Sequence, residues 1–334
     1  MAAGAIRPAS AMSAGFSQLD DRGRLRHLIT LDGLGRDLLE ELLQSAEQYP
    51  CGPGQVPARG NELQGWTVAN LFAEPSTRTR ASFELAAVRL GANALNLDVM
   101  LSSRAKGESV IDTIYTLQEM QVDVFVIRDA EPGIHECVAR HVGPQVSVIS
   151  GGEAHISHPT QGLLDALTIR QCKGGFERLV VAIVGDIRRS RVARSAHRAL
   201  ATLGVPEIRI VAPPPMMPDA AEFVGARRFE ALDQGIAGAD VVMMLRIQRE
   251  RAQGAGPTDL AAYHRDYGLT AARLARANTQ AIVMHPGPMN RGVEIASDVA
   301  DGPQSVIRRQ VANGVAVRMA VLAHLAEARR KRAP

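Results

Sequence analysis

From Gly33 onward, apolar residues recur with a helical period, and Leu38, Leu39, Leu42, Leu43 and Ala46 fall on one face of a predicted α-helix. The apolar stretch Trp66 to Ala73 predicts a buried strand. The Pro75-Ser76-Thr77 turn then leads into a helix carrying Phe83, Ala86, Ala87 and Leu90, with Gly91 as its stop. A helix around Glu108–Met120 and strands at Val122–Ile127 and Val146–Ile149 follow, the last ending in Ser150-Gly151-Gly152. Beyond that point the alternation restarts. It predicts a helix after Pro159, a buried strand at Leu179–Val184, a helix over about Ser190–Leu203, and strands at Ile208–Val211, Val241–Leu245 and Ile282–Met284. A last helix over about Ser305–Glu327 bears Val311, Val315, Met319 and Leu322. Strands alternating with helices on both sides of a Gly-Gly junction predict an α/β chain. Its two doubly wound domains would have parallel central sheets and a ligand cleft between them.

At 334 residues the chain is long enough for two domains. Apolar residues make up 46% and charged residues 22%, a globular balance that excludes disorder as the main state. No run reaches the roughly 18 consecutive apolar residues of a membrane span, so no membrane is expected. Cys51, Cys137 and Cys172 form no CxxC pair, which argues against a disulfide framework and fits a reducing, cytoplasmic setting. The formal charge of +3 is mild, aromatic residues are 4%, and no basic run precedes Arg329-Arg330-Lys331-Arg332. Nucleic acid is therefore not an expected partner, whereas cations gathered in one cleft suit a small acidic substrate. Residues 1–28, with no acid before Asp20, are expected to form a loosely ordered extension. A transit peptide and a partner-binding arm are the alternatives, and no apolar h-region marks an export signal.

The most informative stretch is Phe72-Ala73-Glu74-Pro75-Ser76-Thr77-Arg78-Thr79-Arg80. A strand runs into a turn where Ser76 or Thr77 can cap the next helix, and the N–H groups and dipole of that helix start bind anions. Hydroxyls and guanidinium groups side by side strengthen the site, because arginine forks match phosphate oxygens. A capped surface helix with solvated arginines is the plainer alternative. GxxxxGK[ST] is absent, so this is no P-loop. Two further cationic features are the polar loop Ser102–Ser109, with Arg104 and Lys106, and Arg128 just past its strand, where α/β proteins place ligand-facing groups.

His158-Pro159-Thr160-Gln161 opens a helix. His155 and His158 lack further ligands at a familiar spacing, so no metal is expected. His158 and Gln161, one turn apart, can both face a cleft and donate to a carbonyl. Gly185–Ser195 lacks GxGxxG, so no nicotinamide cofactor is expected; rich in arginine at a strand's carboxyl end, it suits carboxylates. Arg246 and Gln248 point the same way if the chain there is extended. His285-Pro286-Gly287-Pro288-Met289-Asn290-Arg291-Gly292 is a stiff loop whose carbonyl oxygens can accept from an amide NH2. No nucleophile–base pair and no paired carboxylates stand out. Cations and hydroxyls at strand ends point instead to electrostatic catalysis on a phosphorylated substrate beside a second, doubly anionic one.

Taken together, seven segments resemble, in order and spacing, the catalytic chains of the aspartate carbamoyltransferase family. They are Phe72–Arg80, Lys106-Gly107-Glu108-Ser109, His158–Gln161 with Leu164-Asp165, Gly185–Ser195, Arg246–Arg251, His285–Glu294 and Gln310–Met319, within about residues 30–325. The resemblance implies a carbamoyl-phosphate domain over 29–155, completed by the C-terminal helix at about 305–330, and an aspartate domain over 156–304. It implies a homotrimer with shared active sites and no cofactor. Ser76, Thr77, Arg78 and Thr79 would hold the phosphate, with Ser102 and Lys106 lent by the adjacent subunit. Thr79, Arg128 and His158 would polarise the carbamoyl oxygen, and Gln161 with the Gly287 and Pro288 backbone would hold the carbamoyl NH2. Lys106, Arg191, Arg246 and Gln248 would bind the carboxylates of aspartate. The implied reaction forms N-carbamoyl-L-aspartate and phosphate, an early step of de novo pyrimidine biosynthesis.

Three departures stand out. Arg128 is followed by Asp129-Ala130-Glu131 where many relatives have His-Pro, Ala105 precedes Lys106 where some have a second lysine, and the first 30 or so residues lie outside the shared region. Some bacterial relatives with such an extension associate with an inactive dihydroorotase-like chain, so a larger complex with that or a regulatory chain is one implied partner. The nearest alternative, ornithine carbamoyltransferase, shares the Ser-Thr-Arg-Thr-Arg site. Relatives of that type carry a His-Cys-Leu-Pro loop and an Asp-x-x-x-Ser-Met-Gly segment, where this chain has His285-Pro286-Gly287-Pro288 and Arg246-x-Gln248. Ornithine's ammonium would meet Arg246, a repulsion that a specific site avoids. A catalytically silent anion-binding paralogue is the other alternative, against which the full set of polar residues argues.

Overall fold

The computed structural model describes residues 15–98, 109–247 and 259–332. Of the expected site residues, Ser102, Lys106 and Gln248 lie outside the described residues. The first half runs α1 (Arg36–Glu47), β1 (Thr67–Phe72), α2 (Thr77–Arg89), β2 (Asn93–Leu97), α3 (Val110–Glu119), β3 (Val124–Asp129), α4 (Ile134–His141) and β4 (Ser147–Glu153). Its four strands are parallel, in the order β2-β1-β3-β4. After α5 (Pro159–Lys173) come β5 (Val180–Val184), α6 (Arg191–Thr202), β6 (Glu207–Val211), β7 (Arg227–Phe229), α7 (Leu232–Gly235) and β8 (Val241–Met244). The chain continues through α8 (Leu260–Tyr267), α9 (Ala271–Leu274), β9 (Ile282–Met284), α10 (Ser297–Ala300) and α11 (Ile307–Arg330). The second sheet is also parallel, in the order β7-β6-β5-β8-β9.

Helices cover both faces of a parallel sheet, so its central strands are largely apolar; β8 reads Val-Val-Met-Met and every residue is buried. Each sheet grows one way from its first strand and then the other. The order therefore reverses between β1 and β3, and again between β5 and β8. Crevices at the carboxyl ends of such strands are where α/β sheets bind ligands. The long helix α11 returns to pack on α1, α2 and α5. Among the described helices it alone is long and apolar enough to cross a membrane, yet 72% of its apolar window is buried inside the fold.

Three expectations are corrected. Gly151 and Gly152 are not a junction between domains but part of β4, where the register with β3 shifts. The crossing is made by α5, which packs on α1, α6 and α11. Arg128 lies inside β3, opposite Gly152, rather than past the strand. The described part of the N-terminal extension is not loose: Leu25, His27 and Leu28 are buried, and Leu28 bridges to Ile149 in parallel, covering the β4 edge. The buried side chain of Gln18 accepts from the Ile29 and Thr30 N–H groups and donates to the Thr30 carbonyl. One polar side chain thus fastens a segment whose composition carries little apolar signal.

Candidate active site

A cavity of about 810 Å3 opens between the two sheets, lined from both switch points. The first contributes Glu74 to Thr79, after β1, and Arg128 at the end of β3. The second contributes Ser190 and Arg191, after β5, and Leu245 and Arg246, after β8. His158 and Gln161 on α5, the loop His285–Pro288 and Gln310 and Arg318 on α11 complete the lining.

Ser76 stands at the N-cap position of α2 with extended backbone, and no side chain caps the helix. The cap expected from Ser76 or Thr77 is absent. No N-cap side chain therefore competes for the first-turn N–H groups of α2, as suits an anion-binding helix start. Burial, and then the Arg246 charge, lower the pKa of Arg78. Two guanidinium groups held this way favour an anion between them.

Arg128 and Arg191 are tied to one strip of backbone and one carboxylate. Arg128 Nη1 donates to the Gly151 carbonyl (3.1 Å) and its Nε lies 3.3 Å from Glu74 Oε2. Arg191 Nη1 donates to the Ala154 carbonyl and its Nη2 to Glu74 Oε2, both at 3.0 Å. Gly152 has φ +127°, and a Cβ there would lie 3.0 Å from both Arg128 Nη1 and Arg191 Cζ. A residue without a side chain, free to adopt this φ, lets the two cations come this close without displacement.

His158 is buried at the N-cap position of α5, and its backbone N–H donates to Ser195 Oγ at 2.8 Å. Burial, reinforced by Arg318, Arg128 and Arg191, holds the imidazole well below the ordinary histidine range, so the ring is neutral at pH 7. Its Nδ1 is buried without a hydrogen-bond partner among the described residues. Gln161 Nε2 donates to Asp165 Oδ1 at 3.0 Å. One of its two N–H groups is thereby taken, and the bond turns the Gln161 carbonyl oxygen away from Asp165 as an acceptor.

The loop on the far wall is equally fixed. Gln310 Oε1 accepts the His285 N–H (2.9 Å), and His285 Nδ1 accepts the Gly287 N–H (2.8 Å). That leaves His285 Nε2 to donate to Glu294 Oε1 at 3.2 Å. Gly287 has φ +65°, and a Cβ on it would stand 3.3 Å from Arg78 Cζ.

Ser76, Thr77, Arg78, Thr79, Arg128, His158, Gln161, Arg191, Arg246, Gly287 and Pro288 all line this one cavity. Sequence reasoning missed Glu74, Ser190, His285, Gln310 and Arg318, all of which line it too. For Arg318 a signal existed, since it is a charge on the apolar, buried face of a long helix. Among the described residues no group of three or more His, Cys, Asp or Glu could hold a metal ion.

The profile of the aspartate/ornithine carbamoyltransferase carbamoyl-P binding domain matches residues 26–171, and that of the Asp/Orn binding domain matches residues 177–325. The fold is similar to aspartate transcarbamoylase from Trypanosoma cruzi in complex with carbamoyl phosphate. That match has 30% identity over 90% of this chain and 95% of that one, with a TM-score of 0.80. The complex of the same enzyme with carbamoyl phosphate and aspartate matches at 30% identity, 90% and 96% coverage and a TM-score of 0.79. Ornithine carbamoyltransferase from Thermus thermophilus matches at 27% identity, 90% and 98% coverage and a TM-score of 0.78. The chain belongs to the aspartate/ornithine carbamoyltransferase family.

Proposed function

We propose that the chain transfers the carbamoyl group of carbamoyl phosphate to the amine of L-aspartate, releasing N-carbamoyl-L-aspartate and phosphate. The observation that carries the choice of aspartate is Arg246, which lines the cavity after β8, near enough to Arg78 for its charge to be felt there, in a lining that also holds Arg191. A second substrate entering there meets cations, which suits two carboxylates and opposes the ammonium of ornithine.

The roles follow from charge. The start of α2, with Ser76, Thr77, Arg78 and Thr79, holds the phosphate. Thr79, Arg128 and the neutral His158 donate to the carbamoyl oxygen. The neutral aspartate amine attacks the carbamoyl carbon, negative charge grows on that oxygen, and the C–O bond to phosphate then breaks. Each donor placed in advance at such an oxygen is worth about 10²–10³ in rate. The leaving phosphate takes the amine proton, so no protein base is required. Gln161 and the Gly287 and Pro288 carbonyls accept from the carbamoyl NH2. Arg191, Arg246, Gln248 and Lys106 hold the aspartate carboxylates, with Ser102 and Lys106 supplied by a neighbouring copy in a homotrimer. Such an enzyme serves an early step of de novo pyrimidine biosynthesis in the cytoplasm.

The test is carbamoyl transfer by the purified chain, with aspartate and ornithine offered separately. Carbamoyl aspartate alone is the expected product. Citrulline from ornithine would overturn the aspartate reading.

A further inference from the structure

Asp165 is buried on α5, beneath the cavity, and its Oδ1 accepts two amide hydrogen bonds. Gln161 Nε2 lies 3.0 Å away on the same helix, and Gln310 Nε2 lies 2.9 Å away on α11. A carboxylate oxygen accepts and does not donate, so both glutamines must turn their NH2 groups toward it and their carbonyl oxygens away. For Gln310 that oxygen is accounted for by the His285 N–H, the first residue of the loop that carries Gly287 and Pro288. For Gln161 it is left to the cavity that this residue lines. One buried oxygen thus sets two amides: Gln161 on one wall offers its oxygen to the cavity, and Gln310 holds the start of the loop on the other.

We infer that Asp165 is a positioning residue that makes this part of the cavity accept hydrogen bonds, so that it selects an acyl phosphate carrying NH2 over one carrying methyl. The inference rests on the proposed function and names what enforces its choice of donor. Arg318 adds to it. Buried on α11, it donates from Nη1 to the Gly314 carbonyl at 2.9 Å, and its charge favours the ionised form of Asp165. Burial nevertheless pushes the Asp165 carboxyl up to about 7, against the pull of the two amides and Arg318. Asp165 Oδ2 has no hydrogen-bond partner among the described residues. A proton taken up there leaves Oδ1 an acceptor, so the polarity of the cavity survives either state.

The experiment is equilibrium binding of carbamoyl phosphate and of acetyl phosphate, which has methyl in place of NH2, by calorimetry at one pH and salt. The ratio of the two dissociation constants cancels any common change in phosphate affinity. Wild type is expected to prefer carbamoyl phosphate. In Asp165→Leu nothing holds the Gln161 amide, and the preference should fall about tenfold, the scale of one lost hydrogen bond. Asp165→Asn still offers one oxygen to both glutamines and should keep most of the preference. An unchanged ratio in folded Asp165→Leu overturns the inference, as does an equal loss in the Asn variant. If Asp165→Leu fails to fold around an unpaired Arg318, Asp165→Leu/Arg318→Met removes both buried charges and carries the same test. Wild type that binds both acyl phosphates alike would instead overturn the reading of Gln161 within the proposed function.

Discussion

Arg128 lies on a strand of the first sheet and Arg191 at the start of α6 beside the second, yet their guanidinium groups meet on a single oxygen, Glu74 Oε2, at 3.3 and 3.0 Å. Gly152 lies beneath both, and the carbonyls on either side of it, of Gly151 and Ala154, take one further hydrogen bond from each. The two cations are therefore placed by backbone and one shared anion before any substrate arrives, the preorganisation on which electrostatic catalysis depends.

Gly152→Ala tests that placement. Its Cβ would lie 3.0 Å from atoms of both guanidinium groups, which would have to give way, and the residue would be held at φ +127°. The strain should cost about 1–3 kcal/mol of stability, measured by urea unfolding. Moving the cations by a fraction of an ångström to one ångström should lower kcat/KM by about 10²-fold. A stable variant with normal kinetics would show that the strip does not position the arginines.

His158 is expected to act without titrating. Burial and three neighbouring arginines keep its ring neutral. Its ring resonances should stay fixed from about pH 8 down to about 6, across the range where an ordinary histidine charges. His158→Asn should lower kcat by about 10²–10³ as a lost donor while leaving the shape of the pH–rate profile intact. A limb near 6.5 that vanishes in the variant would make His158 a base instead.

Much of this arrangement was legible in the sequence because parallel strands buried on both faces leave apolar runs, unbroken at β5 and β8 and nearly so at β1 and β3. β2 left none, since it is an edge strand with Asn93 and Asn96 and mostly exposed side chains. The Gly151-Gly152 pair reads as a linker until the two arginines above it are seen, because crowding from distant residues writes nothing locally. The Ser76–Thr79 site was clear as a local motif. Glu74 sits in the same motif, but its part depends on residues far along the chain. So does that of Asp165, whose partner Gln310 is 145 positions away.

The fastened N-terminal segment predicts acid sensitivity. His27 Nδ1 accepts the Val148 N–H at 3.1 Å, which requires the unprotonated nitrogen. Burial, with Arg26 and Arg332, lowers its pKa to about 3, and burial with Arg198 lowers that of His197 to about 4. In the unfolded chain both titrate near 6.5. Below that value the unfolded state binds protons that the fold refuses, so their stabilisation is complete above about 6.5 and drains away as pH falls. Asp165, raised to about 7, has the opposite slope between about 7 and 4, so a single variant must isolate His27. Between pH 6.5 and 5, wild type should lose about 1.6 kcal/mol more than His27→Gln in urea unfolding. Equal losses would show that His27 is protonated in the fold.

Shared sites predict complementation. Arg78→Ala and Lys106→Ala proteins should each be nearly inactive, yet mixed oligomers should recover activity, because some sites would combine an intact Arg78 with an intact Lys106 from the neighbour. Mixed oligomers verified by mass, with no recovery, would argue that each chain builds its site alone.

Arg246 decides the second substrate. It follows β8 at the mouth of the second sheet's switch point, and it faces Arg78 closely enough for its charge to lower the Arg78 pKa. The phosphate site has α2 and its hydroxyls without Arg246, whereas an aspartate carboxylate between Arg191 and Arg246 loses one of two charged partners when Arg246 is removed. A hydrogen bond to a charged group is worth about 1.5–3 kcal/mol, so Arg246→Ala should raise the aspartate KM by about 10- to 100-fold. Turnover should fall as well, because a loosely held aspartate presents its amine poorly, while carbamoyl-phosphate affinity changes little. Steady-state kinetics with each substrate varied in turn separates the two. Unchanged aspartate kinetics would place the carboxylates elsewhere and remove the argument against ornithine.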